Sequence, residues 1–301
     1  MTINFDEKHT LHIANRASFS VVKASGENIL TYIQGQVTQD VKNMNKDQAV
    51  YSVILNQQAK SVTEFYMLQG LQNEVIMLCP SEKAVLLVER LKRFMLGYEL
   101  RIGVVSPWQI LSIQGEGVDS FLQKHELPVP KNHKLAVQHQ DETYVLRMPE
   151  IGDDGVWLIG GNIGIKANED EAMIEKGRTL KGIPKFGVDW DEKIHPLNAN
   201  LIERGGVSFD KGCYVGQEVT SRMHWRGGIK KKLYRVKVDG VVEHLPVPVF
   251  TTVKVGMLSS LATDIEGKQF GIALLPIEVV EKSQSLSLEA GQRVVVVGIC
   301  Q

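Results

Sequence analysis

Two stretches of this chain read as copies of one unit, and the duplication restricts the fold more than any other feature. Val22–Gln34 aligns without gaps on Leu111–Gln123. Each copy runs as a strand, a Gly-Glu turn (Gly26-Glu27, Gly115-Glu116) and a short helix. The helices carry matching apolar faces, Ile29/Tyr32/Ile33 and Val118/Phe121/Leu122, at helical spacing. A duplicated βα lobe predicts a pseudo-symmetric core with a cleft between its halves, where ligands commonly bind.

The rest of the chain fits an α+β protein. Between the copies, Val50–Leu55, Val62–Leu68 and Glu74–Leu78 read as strands, and a helix is expected from about Ser81 to Gly97. After the second copy come strands over Glu142–Met148 and Gly155–Gly160. A helix follows with Asn168 as N-cap, acids in its first turn, cations late and Gly182 at its end. Gly160-Gly161-Asn162-Ile163-Gly164 lacks dinucleotide-loop spacing and reads as a turn. From about Lys230 only strands and turns remain, as in a small β-barrel. The expected division is residues 1–228 for a core of two pseudo-repeated lobes and 229–301 for the barrel, with the boundary at Gly227-Gly228.

Hydrophobic content of 43% and charged content of 23% are ordinary for a soluble protein, and the net charge of −1 gives no global field for nucleic acid. Met1–His12 has no apolar core of a signal peptide, and no run approaches a membrane span of about 20 residues, so a cytosolic protein is expected. Cys79, Cys213 and Cys300 form no Cys-x-x-Cys, and the eight histidines lack partners at ligand spacing, so no metal site is read.

Chemistry concentrates in Lys211-Gly212-Cys213-Tyr214-Val215-Gly216-Gln217-Glu218. Glycines on both sides of Cys213 permit positive φ or close approach. Lys211 and Arg222 would favour a thiolate, as would a helix beginning after Gly216, preceded by a short strand over Val207–Phe209. The plain alternative is a buried cysteine in a tight turn. Glu218 is either a helix-capping residue or a group facing the cleft.

This octapeptide resembles the signature of the YgfZ family, folate-binding proteins related to the aminomethyltransferase (T-protein, GcvT) of glycine cleavage. Gly35-Gln36-Val37-Thr38-Gln39-Asp40-Val41, Lys181-Gly182-Ile183-Pro184, Pro196–Leu201, Lys254–Ser260 and Gly271–Leu274 extend the resemblance in order along the chain. It implies a GcvT-like three-lobed ring with a duplicated βα core and a C-terminal β-barrel, holding tetrahydrofolate at its centre. It also implies a role in maturation or repair of iron–sulfur proteins, including radical enzymes that thiolate tRNA. By position, Cys213 is the functional thiol, with Lys211, Gly212, Tyr214, Gly216, Gln217 and Glu218 around it. Phe19 occupies a place where the family offers an aromatic to the pterin, worth about 0.5–1.5 kcal/mol beyond burial; a core phenylalanine is the alternative.

Three departures bear on the reaction. Ala59 stands where relatives usually have glycine, and Ile174 where the family can have tryptophan. Thr63-Glu64 replaces the Asp-Asp of aminomethyltransferases, and the longer Glu64 shifts its carboxylate at a place where about 1 Å can cost about 100-fold in rate. Folate-dependent one-carbon transfer through Glu64 is therefore the second reading. A third rests on Arg222, Arg226, Lys230, Lys231, Lys232, Arg235 and Lys237, interleaved with His224, Trp225 and Tyr234. This run suits RNA, the glutamate tail of a folate, or plain solvation; Arg222 and Arg226 are expected to point inward.

Overall fold

The computed structural model describes residues 11–301. The segment read for a leader falls largely within residues 1–10, outside the described residues. In chain order, β1 (His12–Asn15) precedes a first unit of β2 (Phe19–Ser25), α1 (Ile29–Gln34), β3 (Val50–Leu55), β4 (Ser61–Gln69), β5 (Glu74–Pro80) and α2 (Ala84–Arg93). Then β6 (Arg101–Val104) precedes a second unit of β7 (Gln109–Gln114), α3 (Val118–Lys124), β8 (Val137–Gln140), β9 (Thr143–Arg147), β10 (Gly155–Gly160) and α4 (Glu171–Lys181). Helix α5 (Gln217–Trp225) leads to β11 (Lys231–Asp239), β12 (Val247–Phe250), β13 (Lys254–Thr263), β14 (Gln269–Pro276), α6 (Ile277–Glu281), β15 (Leu286–Leu288) and β16 (Arg293–Ile299).

The duplication is visible down to backbone conformation. The two sheets run β6-β2-β5-β4-β3 and β1-β7-β10-β9-β8, the same order of equivalent strands. Each borrows its edge strand from the segment preceding the other unit: β1 pairs with β7, and β6 with β2. Both βα turns use the same left-handed positions, Gly26 (φ 139°) and Asn28 (φ 63°) in one, Gly115 (φ 118°) and Gly117 (φ 87°) in the other. At Gly26 a Cβ would also lie 2.4 Å from the Glu99 carbonyl oxygen, which explains the glycine.

Each sheet is covered on both faces. In the first, Val22, Phe65, Met67 and Met77 pack under α1 and α2 on Ile33, Leu87 and Leu91. The alternate residues Val21, Val53, Leu68 and Leu78 face a central core shared with Ile110, Trp157 and Ile159 of the second sheet and Leu233 and Ile272 of the barrel. Burial on both faces is why Val75–Cys79 of β5 and Val156–Ile159 of β10 read as unbroken apolar runs. The barrel closes in the order β11-β14-β13-β12-β15-β16 around its own core, including Val236, Val249, Leu258 and Leu275. No helix among the described residues is long and apolar enough to cross a membrane.

Two local expectations need correction. Helix α4 starts after Asp170, not Asn168. The Asn168 side chain instead accepts from Ile13 N–H (2.7 Å) and donates to the Leu11 carbonyl (3.1 Å), tying the helix entrance to β1. Val207–Phe209 is irregular because its groups bond across to another loop: Ser208 N–H donates to the Thr38 carbonyl (3.0 Å).

The barrel is joined to the core through polar groups. Asn200, fully buried with φ 62°, donates to the carbonyls of Leu233 (2.7 Å) and Cys300 (2.9 Å) and accepts from Leu233 N–H (2.9 Å). Asp189 accepts from Ser259 (2.8 Å) and Ser260 of β13 while pairing with Arg178 of α4 (2.8 Å).

His195 opens the turn before Asn200, its Nδ1 accepting from Leu197 N–H at 3.2 Å. Burial pulls its pKa from 6.5 down to about 4. Between those values the unfolded chain binds a proton that the folded one does not, so stability falls as pH drops from about 6.5 to about 4. At about 1.4 kcal/mol per pH unit the loss is at most about 3 kcal/mol. Urea unfolding at pH 7 and pH 4.5 should show it, and His195→Asn should flatten that part of the profile.

Candidate functional site: an exposed thiol beside a buried polar centre

Cys213 is exposed, whereas Cys79 and Cys300 are buried. Burial pushes the Cys79 thiol up to about 12 and raises that of Cys300, leaving both unsuited to thiolate chemistry. The Cys213 loop ends at Gly216, left-handed at φ 87°, which caps α5. A Cβ there would lie 3.0 Å from Leu55 Cδ1 and 3.2 Å from Ala59 Cα. Ala59 is itself left-handed (φ 57°) and buried, a position that favours the glycine usual in relatives. Gly212 is different: its φ is outside the left-handed region and a Cβ would meet nothing, so no conformational need for glycine is visible there.

Lys211 corrects the expectation of a cation held for the thiol. Its buried ammonium donates to the carbonyls of Gln34 (2.6 Å), Val37 (2.7 Å) and Gln39 (3.0 Å), using all three protons. Burial lowers its pKa to about 8, with Asp40 acting in the opposite sense. Further bonds reinforce this clasp: Val215 N–H to the Gly35 carbonyl (3.4 Å) and Thr38 Oγ1 to the Gly206 carbonyl (2.6 Å). The Gly35–Val41 element thus positions the cysteine loop. Tyr214 is buried beneath it, with the Lys211 ammonium 4.9 Å from its ring centre.

Gln217 is half-buried at the start of α5. Glu218 and Arg222 are exposed and pair with each other at 2.7 Å along the helix. Arg226 is exposed as well, so neither arginine points inward as expected: α5 buries only Thr220 and carries both into solvent. The basic run is divided. Lys232 pairs with Glu203, the Arg235 guanidinium lies 4.6 Å over the Phe270 ring, and Lys237 pairs with Asp239 at 3.0 Å.

Where the lobes meet lies a polar centre that sequence reading largely missed. Glu64, buried on β4, accepts from Tyr51 O–H (2.6 Å) and Phe186 N–H (2.7 Å) and pairs with buried Arg204 (2.9 Å). The pairing corrects the reading of Glu64 as a free acid or folate ligand: both oxygens are engaged. A carboxylate beside the apolar run Phe65–Leu68 was the available signal, since a buried charge requires a partner. Alongside, Arg16 pairs with Glu150 (3.0 Å), Glu171 (3.0 Å) and Glu175 (2.7 Å), and Trp157 Nε1–H donates to Glu150 (2.6 Å).

Phe19 is half-buried in this centre, edge-on to Trp157 at 4.9 Å, with Arg16 5.2 Å and Lys185 5.5 Å from its ring centre. Tyr66, also half-buried, meets Trp157 edge-on at 5.6 Å. Burial, with Glu64 and Glu150 nearby, pushes its hydroxyl up to about 12 and keeps it a donor. The buried Trp190 N–H has no hydrogen-bond partner among the described residues. The cations beside these rings are already paired, Arg16 with three carboxylates and Lys185 with Glu175 at 3.0 Å. Ile174 is buried against Ala14 and Ile151.

No family model matches the chain. It is 34% identical over 151 residues to the iron-sulfur cluster assembly factor IBA57 of Mus musculus, covering 49% of this chain and 41% of that protein. It is 25% identical over 231 residues to the tRNA-modifying protein YgfZ of Hamiltonella defensa, covering 72% of this chain and 67% of that protein. The structure superposes on aminomethyltransferase T of the Bartonella henselae glycine cleavage system with a TM-score of 0.84, at 14% identity, over 97% of this chain and 85% of that one. In sequence the chain is similar to YgfZ proteins over 72% to 75% of its length in several relatives, and in fold it is similar to that aminomethyltransferase.

Proposed function

We propose that this protein is a cytoplasmic, tetrahydrofolate-binding accessory factor for the maturation or repair of iron–sulfur proteins, including those that thiolate tRNA, with Cys213 as its reactive group. The observation that carries the reading is the exposed thiol on a loop fixed by Gly216 and the Lys211 clasp. A cysteine needed only for packing would be buried, as Cys79 and Cys300 are. The relatives named for iron–sulfur assembly and tRNA modification support the assignment of task.

The polar centre suits a reduced folate, whose contribution when bound is to carry a one-carbon unit. Phe19 and Tyr66 would hold the pterin, with Trp190 N–H available as a donor. The same geometry speaks against aminomethyl transfer, because Glu64 already accepts from Tyr51 and Phe186 and pairs with Arg204.

Titration of tetrahydrofolate and folic acid into wild type, Phe19→Ala and Cys213→Ser tests the ligand. Wild type and Cys213→Ser should bind the reduced folate alike. Phe19→Ala should weaken it about 2- to 10-fold, the equivalent of about 0.5–1.5 kcal/mol of ring stacking. Absence of binding by wild type would overturn the folate half of the proposal.

A further inference from the structure

We propose that the C-terminal end of α5 is a docking platform for single-stranded nucleic acid. The rings of Phe209 and His224 stack at 4.0 Å with 13° between their planes, and Trp225 meets His224 edge-on at 4.6 Å. Trp225 nevertheless keeps 73% of its surface in solvent. Its neighbours stand out from the body too, since α5 buries only Thr220.

The chain that follows the indole is basic, whereas the exposed acids on these segments are Asp210, next to Phe209, and Glu218, which is paired with Arg222. The Gly227–Gly228 turn folds back on the helix, with Gly228 N–H bonded to the Met223 carbonyl at 2.8 Å. Lys230 and Lys231 follow this turn, and they and Arg226 are exposed with no ionic partner among the described residues. The whole chain has a net charge of −1, so the attraction is local. Backbone phosphates would meet Arg226, Lys230 and Lys231 while an unpaired base stacks on the indole. A duplex hides its base faces, and an acidic protein surface would satisfy the cations without using the indole. The arrangement therefore favours an unpaired strand. The platform and the thiol loop lie at opposite ends of α5, about 12 Å apart along its axis. This inference is independent of the folate reading.

Fluorescence anisotropy of a labelled oligouridylate across a salt series tests it, with a duplex of equal length and polyglutamate as comparators. The single strand should bind best. Trp225→Ala should weaken it about 5- to 150-fold, the equivalent of about 1–3 kcal/mol for one stacked base. Three phosphate contacts give a slope of log K against log salt of about −2, and Lys230→Gln/Lys231→Gln should flatten it to about −0.7. Cys213→Ser should change neither value. No binding of the oligouridylate at low salt, or polyglutamate binding as tightly as the strand, would overturn the proposal, the second outcome indicating an acidic protein partner.

Discussion

Arg204→Met should destabilise the protein by about 3–5 kcal/mol, because it leaves the Glu64 carboxylate buried without its cation. Both side chains are 3% exposed, and their 2.9 Å contact is supported by Tyr51, whose ring lies 4.2 Å from the guanidinium carbon. Burial alone would lower the pKa of Arg204; Tyr51, Glu64 and Tyr66 outweigh it and raise the value. Glu64→Gln should be milder, since the amide oxygen can still accept from Phe186 N–H. Arg204→Met combined with Glu64→Met should recover much of the loss, as apolar replacement of a whole buried pair often does. Urea unfolding of the two single variants and the double variant measures the coupling. A loss below about 1 kcal/mol for Arg204→Met would show that water reaches the pair.

Asn200→Ala should cost a similar amount, about 3–6 kcal/mol. It removes two donated bonds and one accepted bond at a fully buried site, leaving Leu233 N–H and the Cys300 carbonyl without that partner. It also places alanine at φ 62°, adding roughly 1–2 kcal/mol of backbone strain. Asn200→Gly loses the bonds without the strain and should be the more stable of the two. Since Asn200 joins the core to β11 and the residue after β16, hydrogen exchange should quicken first in the barrel. Uniform loss across all three lobes would instead mean that they unfold as one unit.

The parts of this structure legible in the sequence are those encoded locally. The Gly-Glu turns and helix faces marked both βα copies, and Gly216 marked the entry to α5. The exchanged edge strands β1 and β6 escaped because each is four residues long and pairs with the other half of the core. The role of Lys211 escaped for another reason: its partners are backbone carbonyls, which carry no residue identity. Glu64 was visible as an acid beside an apolar run, but nothing in sequence connects it with Arg204, which lies far along the chain. The run from Arg222 to Lys237 looked continuous because sequence does not show that its members divide among a helix, a turn and a strand with alternating faces.

These placements keep the proposed chemistry at the loop, where the sequence had put it, and weaken the second reading through Glu64. The centre is held by ion pairs such as Glu64–Arg204 and Arg16–Glu150, whereas Cys213 is exposed. The most direct test measures iron–sulfur enzyme activity in cells lacking this protein and supplied with wild type or Cys213→Ser at equal abundance. The account predicts that Cys213→Ser folds with unchanged stability and binds tetrahydrofolate, yet leaves those activities at the level of cells without the protein. Restoration of wild-type activity by Cys213→Ser would contradict it.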